Sequence, residues 1–201
     1  TCFEIKGSNV TLDGQGHTVS NGVAEAIHVL GTTGALDNVT VTNLTVTGWE
    51  SAVSAKNVKN SEFSDLTLES NDDKGLVISG SDSIDNLVTR NDFADNEKGI
   101  FLEHGGTATT IHDNDFVNNH EAGVKVSGAA RNTISNNYFV DHDGEKTIHI
   151  TGESPYTTIV GNVVEDGVGP ENAIQVGGES HSSVVRDNVV RRNSLGGISV
   201  G

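Results

Sequence analysis

The 201 residues carry 28 Asp and Glu against 12 Lys and Arg, a formal charge of −16, with one cysteine, no methionine and 4% aromatic residues. That charge repels a nucleic-acid backbone and an anionic membrane surface, the lone cysteine excludes an internal disulfide framework, and no apolar run has transmembrane length. A 34% hydrophobic content is thin for a conventional core, whereas 24 glycines among many Asn, Thr and Val describe short strands joined by tight turns.

In chain order, the first patterned stretch is Asn9-Val10-Thr11-Leu12-Asp13-Gly14-Gln15-Gly16-His17-Thr18-Val19. A small residue followed by apolar-x-apolar then recurs, beginning at Ala26, Ala52, Gly75, Gly99, Gly123, Thr147, Ala173 and Gly197. Subtracting successive starts gives 26, 23, 24, 24, 24, 26 and 24 residues, too short for a strand, a helix and their connections. Each repeat suits one coil of three short strands. The spacing therefore predicts an all-β fold, a right-handed parallel β-helix of about eight coils.

Downstream in each coil runs apolar-x-x-Asn-x-apolar, as in Val88 to Phe93 and Ile111 to Phe116. Period-two alternation turns its apolar members inward and stacks Asn91, Asn114, Asn137, Asn162 and Asn188 into an internal ladder. Leu44 and Leu66 hold the same column in the earlier coils. Beyond the first strand of each coil stand Gly31, Asn57, Gly80, His104, Gly128, Gly152 and Gly178, a corner expected to need positive φ. Residues 1–201 read as one β-helix domain, a piece of a longer chain whose end caps, or a second subunit, would cover the terminal coils.

The segment Asn9–Val19 and the Asn-bearing repeats resemble the pectate-lyase-like superfamily, most closely the NosD-type, carbohydrate-binding and sugar-hydrolase repeats of archaeal surface proteins. With the acidic surplus, the resemblance implies a secreted or cell-surface protein of a halophilic archaeon. It also implies a substrate face along the outside of one strand column, without choosing an activity.

On that face the first strands present His28, Ser54, Val77, Phe101, Lys125, His149, Gln175 and Ser199. Phe101, His28 and Gln175 are the candidate sugar contacts. Either Lys125 or His149 is the candidate base for a lyase, which must take the proton beside a uronate carboxylate. The turn before the strand carries a second column, Glu50, Asp73, Glu97, Glu121, Glu145 and Glu171, with further acids nearby. From these, Asp73, Glu97, Glu121, Asp141, Asp143 and Glu145 are the candidate ligands for a hard cation such as calcium. His142 shares a turn column with Asn71, Asn96, Asn119 and Asn193, which favours a structural role over a metal patch. Asp72-Asp73 is similar to the paired aspartates of polygalacturonase-type hydrolases, but the expected His in the next coil and the Arg-x-Lys are missing. Asn9, Asn38 and Asn43 begin N-x-Thr sequons. The resulting expectation is a surface module that binds a polysaccharide, with lyase-type processing left open. The alternative is a non-catalytic, salt-adapted adhesive rod.

Overall fold

Strand formers at period two, interrupted by residues that tolerate a left-handed backbone, leave the chain one way to bury its apolar face: by stacking coil upon coil. The computed structural model describes residues 1–194 and 196–201 and shows this stack as an all-β parallel solenoid. One sheet has nine strands, Phe3–Ile5, Glu25–Leu30, Ser51–Lys56, Lys74–Ser79, Lys98–Glu103, Ala122–Ser127, Ile148–Thr151, Asn172–Val176 and Gly196–Val200. Nine rungs enclose eight turns, and each strand pairs in parallel with the equivalent strand of the next coil. The second sheet has thirteen strands and contains Thr11–Ser20, Thr40–Thr47 and Glu62–Glu69. A short third ladder pairs Leu36–Asp37 with Val58–Lys59 and continues as single bridges through Ile84 to Thr107. No helix among the described residues is long and apolar enough to cross a membrane.

The second sheet changes character where the Asn ladder begins. Thr40–Thr47 and Glu62–Glu69 run unbroken past Leu44 and Leu66, whereas the next coil divides into Leu87–Thr89 and Asp92–Ala94 on either side of Asn91. The ladder accounts for the break. Asn91 N–H and Nδ2 both donate to Asn114 Oδ1, at 3.0 and 2.9 Å, and Asn91 Nδ2 also donates to the Phe63 carbonyl. The same pattern links Asn114 to Asn137, Asn137 to Asn162 and Asn162 to Asn188. A second ladder joins Asn71, Asn96 and Asn119 at the following corner. These amides replace the strand-to-strand bonds that a tight internal corner cannot form.

The core is narrow and continuous. Phe93, Phe116 and Phe139 stack with ring centroids 4.9 and 4.5 Å apart and planes within 7°. Trp49 lies against Gly22, where any Cβ would overlap its ring.

The corners are columns of left-handed residues. Asn57, Gly80, His104, Gly128, Gly152 and Gly178 all have positive φ, as the sequence predicts. Gly31 does not. An added Cβ there would meet the Gly34 and Asn57 carbonyl oxygens at 2.3 and 2.6 Å, so space and not backbone angle requires glycine. Cys2 is exposed and free.

Candidate functional site

The apolar-x-apolar triplet at the centre of each strand leaves one central position per coil facing outward, and parallel pairing without slippage turns that position into a stripe. The register runs Glu4, His28, Ser54, Val77, Phe101, Lys125, His149, Gln175 and Ser199. Adjacent members sit about 4.8 Å apart along the stack. Phe101, Lys125, His149 and Gln175 therefore form one contiguous patch, while His28 stands three coils away from Phe101, beyond Ser54 and Val77. All but the buried Val77 are half-buried from His28 to Ser199. Lys125 Nζ lies 5.8 Å from the Phe101 ring centroid, within reach of a cation–π contact.

Four of the seven lysines, Lys74, Lys98, Lys125 and Lys146, gather on this face of a chain of charge −16. Lys98 bridges coils, with Nζ 3.3 Å from Asp73 and 2.6 Å from Glu121. Lys74 also pairs with Asp73, Lys125 reaches Glu121 at 2.7 Å, and Lys146 reaches Glu171 at 2.6 Å. Burial would raise the Asp73 and Glu121 carboxyls, but the lysines around them prevail and hold both below their ordinary values. Lys98 and Lys146 are held above theirs by the same carboxylates, against the pull of burial.

His149 responds in the opposite sense. Burial first, then the charges of Lys146 and Lys125, push its imidazole down to about 4, so it is unprotonated at neutral pH. The patch thus sets a proton acceptor one coil from a primary amine and two coils from an aromatic ring. In the next coil, Gln175 Oε1 is buried without a hydrogen-bond partner.

The carboxylates expected to hold a cation are only partly brought together. Glu97, Glu121, Asp143 and Glu145 line a shallow depression of about 390 Å³ with His120 and Pro170. Asp73 and Glu121 are engaged by lysines, Asp143 by His120 Nδ1 at 3.0 Å and Glu145 by Lys146, while Asp141 is an exposed left-handed corner residue. Among the described residues, no group of three or more His, Cys, Asp or Glu is placed to hold a metal ion. Spacing aligned the acids into a column. It carried no signal for Lys98 reaching across to the coil on either side.

His142 is structural, as its column indicates. It interrupts the second Asn ladder, buried, with Nδ1 3.1 Å from the Asn119 carbonyl and Nε2 3.3 Å from that of Phe116. Burial outweighs both carbonyls and lowers its pKa to about 4. Below pH 6.5 the unfolded chain takes up a proton that the folded chain refuses until about pH 4. The stability held by neutral His142 is therefore complete above pH 6.5 and lost as the pH falls toward 4, about 2 kcal/mol of it by pH 5. His142→Asn, the residue of the neighbouring coils, is expected to remove that part of the slope. Urea midpoints at pH 7 and pH 5 check this, and an unchanged difference between them would refute it.

Comparison with known proteins bears on the architecture. The family described as right handed beta helix region has a model that matches residues 1–139 and again residues 114–201. No curated protein matches the chain. Among solved structures, an alginate lyase from Paenibacillus sp. str. FPU-7 superposes with a TM-score of 0.67 at 12% identity, over 95% of this chain and 78% of that one. DFA-IIIase from Arthrobacter chlorophenolicus A6, solved without its lid, gives 0.64 at 14% identity over 99% of this chain and 59% of its own. The A-module of an Azotobacter vinelandii mannuronan C-5 epimerase gives 0.58 at 13% identity over 98% and 78%. At these identities the likeness is one of fold.

Proposed function

We propose a function from one premise: the chain belongs to the right handed beta helix region family. In this reading it is an extracellular module that binds a polysaccharide along the outer face of the nine-stranded sheet, across Phe101, Lys125, His149 and Gln175. The observation that carries it is the in-register patch itself, with an unprotonated imidazole beside an amine and an aromatic ring on the same stripe. The names of the structural neighbours point the same way, two of them being enzymes of alginate and of mannuronan. The spread of carboxylates over the coils suits a protein that stays soluble in concentrated salt.

A uronate chain is the ligand this chemistry fits best. Lys125 would offset the sugar carboxylate. His149 would accept the proton from the carbon beside the carboxylate as the double bond forms, and the glycosidic oxygen would leave as a hydroxyl by taking a proton from solvent. Lys125→Ala and Phe101→Ala are expected to weaken retention on an immobilised polyuronate about tenfold. Unsaturated product that disappears in His149→Ala makes the module a lyase, and repeating the assay with calcium and then chelator shows whether a cation takes part. No retention on polyuronate or neutral glycan would overturn the carbohydrate reading.

A second reading, the adhesive rod, has its own support. The stripe is bordered by sharp left-handed corners and not by long loops, so the face is open. Eight turns give a rod about 40 Å long.

A further inference from the structure

On a different corner of the solenoid, a column of left-handed residues runs Asn9, Asn38, Asn60, Asp85, Ala108, Arg131, Tyr156 and Ser182, with φ between 50 and 60°. From Asn9 to Tyr156 each residue donates its N–H to the carbonyl before its counterpart in the next coil, as Arg131 does to Pro155 at 2.9 Å and Tyr156 to His181 at 3.1 Å. Asn and Asp occupy this conformation readily, and a bulky side chain does so under strain. Arg131 and Tyr156 therefore hold positions where Asn would be easier. Arg90 and Arg192 share this conformation at other corners, so the backbone marks the corner and the side chains mark the site.

The side chains show what the strain maintains. Tyr156 is half exposed, the most exposed aromatic residue among those described. The Arg131 guanidinium lies 5.6 Å from its ring centroid, and the His181 ring meets it edge-on at 5.5 Å, with an 82° angle between planes. Arg90, Arg186, Arg191 and Arg192 each pair with a carboxylate. Arg131 is the one arginine without an ion pair among the described residues, in a chain of charge −16. An aromatic ring, a guanidinium that packs on it without an ion pair, and an imidazole thus share one exposed corner.

We propose that Arg131, Tyr156 and His181 form a second carbohydrate subsite, in which the apolar face of an anionic sugar stacks on Tyr156 and its acidic group meets Arg131. The phenol ring supplies broad contact at low entropic cost, and the guanidinium fork matches a carboxylate. The subsite uses none of the stripe residues and stands without them.

The test titrates the full chain carrying Lys125→Ala with a mannuronate hexasaccharide and, as the uncharged counterpart, a mannose hexasaccharide. Tyr156 ring signals are followed by NMR and affinity by calorimetry. In that background Tyr156→Asn is expected to raise Tm by about 2 to 4 °C, because it relieves the strained corner. It should also weaken uronate binding at least about tenfold. Arg131→Ala is expected to weaken uronate binding about three- to fivefold and leave the mannose oligosaccharide unaffected. Tyr156 signals that stay still at saturating uronate would overturn the subsite. So would a Tyr156→Asn protein that melts lower yet binds as before, since the ring would then be structural. Equal binding of both sugars, indifferent to Arg131→Ala, would overturn the anionic specificity. Movement of Tyr156 without any effect of Phe101→Ala or Lys125→Ala elsewhere would sink the stripe reading and leave this one standing.

Discussion

Asn114→Ala is expected to lower the stability of the fold by about 4 kcal/mol, an effect out of scale with the loss of one amide. Its Oδ1 accepts from both Asn91 N–H and Asn91 Nδ2, and its own Nδ2 donates to the Val88 carbonyl, to the His112 carbonyl and to Asn137 Oδ1. Asn91, Asn114 and Asn137 are all buried, so water does not replace what alanine removes. The Asn91 N–H and one Nδ2 hydrogen of Asn91 are left without an acceptor, each at about 1–3 kcal/mol. Asn188 receives the same bonds from Asn162 but is only half-buried, so Asn188→Ala is expected to cost about 1 kcal/mol. Denaturant unfolding of both variants, with amide exchange at Asn91, decides the matter. Equal losses at the two positions would show that the ladder is not held by burial.

Ladder and register were both legible because each rests on repetition. A residue type that returns every 23 to 26 positions fixes which coils align, and the observed pairings follow that alignment from Phe3 to Val200. Less legible was the route of the backbone around a given corner. Leu44 and Leu66 share the Asn column, yet the strands through them continue without a break. The identity of an inward residue says that the position is buried, not whether its backbone bonds to the next strand or to a side chain. Gly31 shows the same limit, since a glycine forced by φ and a glycine forced by a nearby carbonyl look alike in sequence.

The candidate site divides along a similar line. The stripe was readable because outward positions follow from parity. Charge pairing was not, because Lys98 chooses Asp73 and Glu121 through side-chain reach, which no spacing encodes. The Arg131–Tyr156 corner left a signal that only a comparison down its own column uncovers. Asn38, Asn60 and Asp85 mark that column as a left-handed turn, and a tyrosine in it is out of place.

The largest packing effect is expected at Phe116, and its partner identifies itself by size. Phe116 is fully buried between Phe93 and Phe139, and Phe116→Ala should cost about 3–5 kcal/mol through lost contact and the cavity it leaves. A Cβ on Gly99 would lie 2.8 Å from the Phe116 ring, as one on Gly75 would lie 2.7 Å from Phe93 and one on Gly123 2.6 Å from Phe139. In coils where the ring column narrows, the glycine column widens: Ala52 accompanies Leu68, Thr147 accompanies Val164, and Ala173 accompanies Val190. The two columns share a fixed volume, so glycine is present in three coils because phenylalanine is. Gly99→Ala alone should therefore destabilise by about 1–3 kcal/mol through overpacking. Joined to Phe116→Leu, which reproduces the pairing of Ala52 with Leu68, it should cost less than the sum of the two single changes by about 1 kcal/mol or more. Strict additivity in that cycle would mean that the Gly99 constraint comes from the Gly123 carbonyl, 2.6 Å from the same Cβ, and not from the ring.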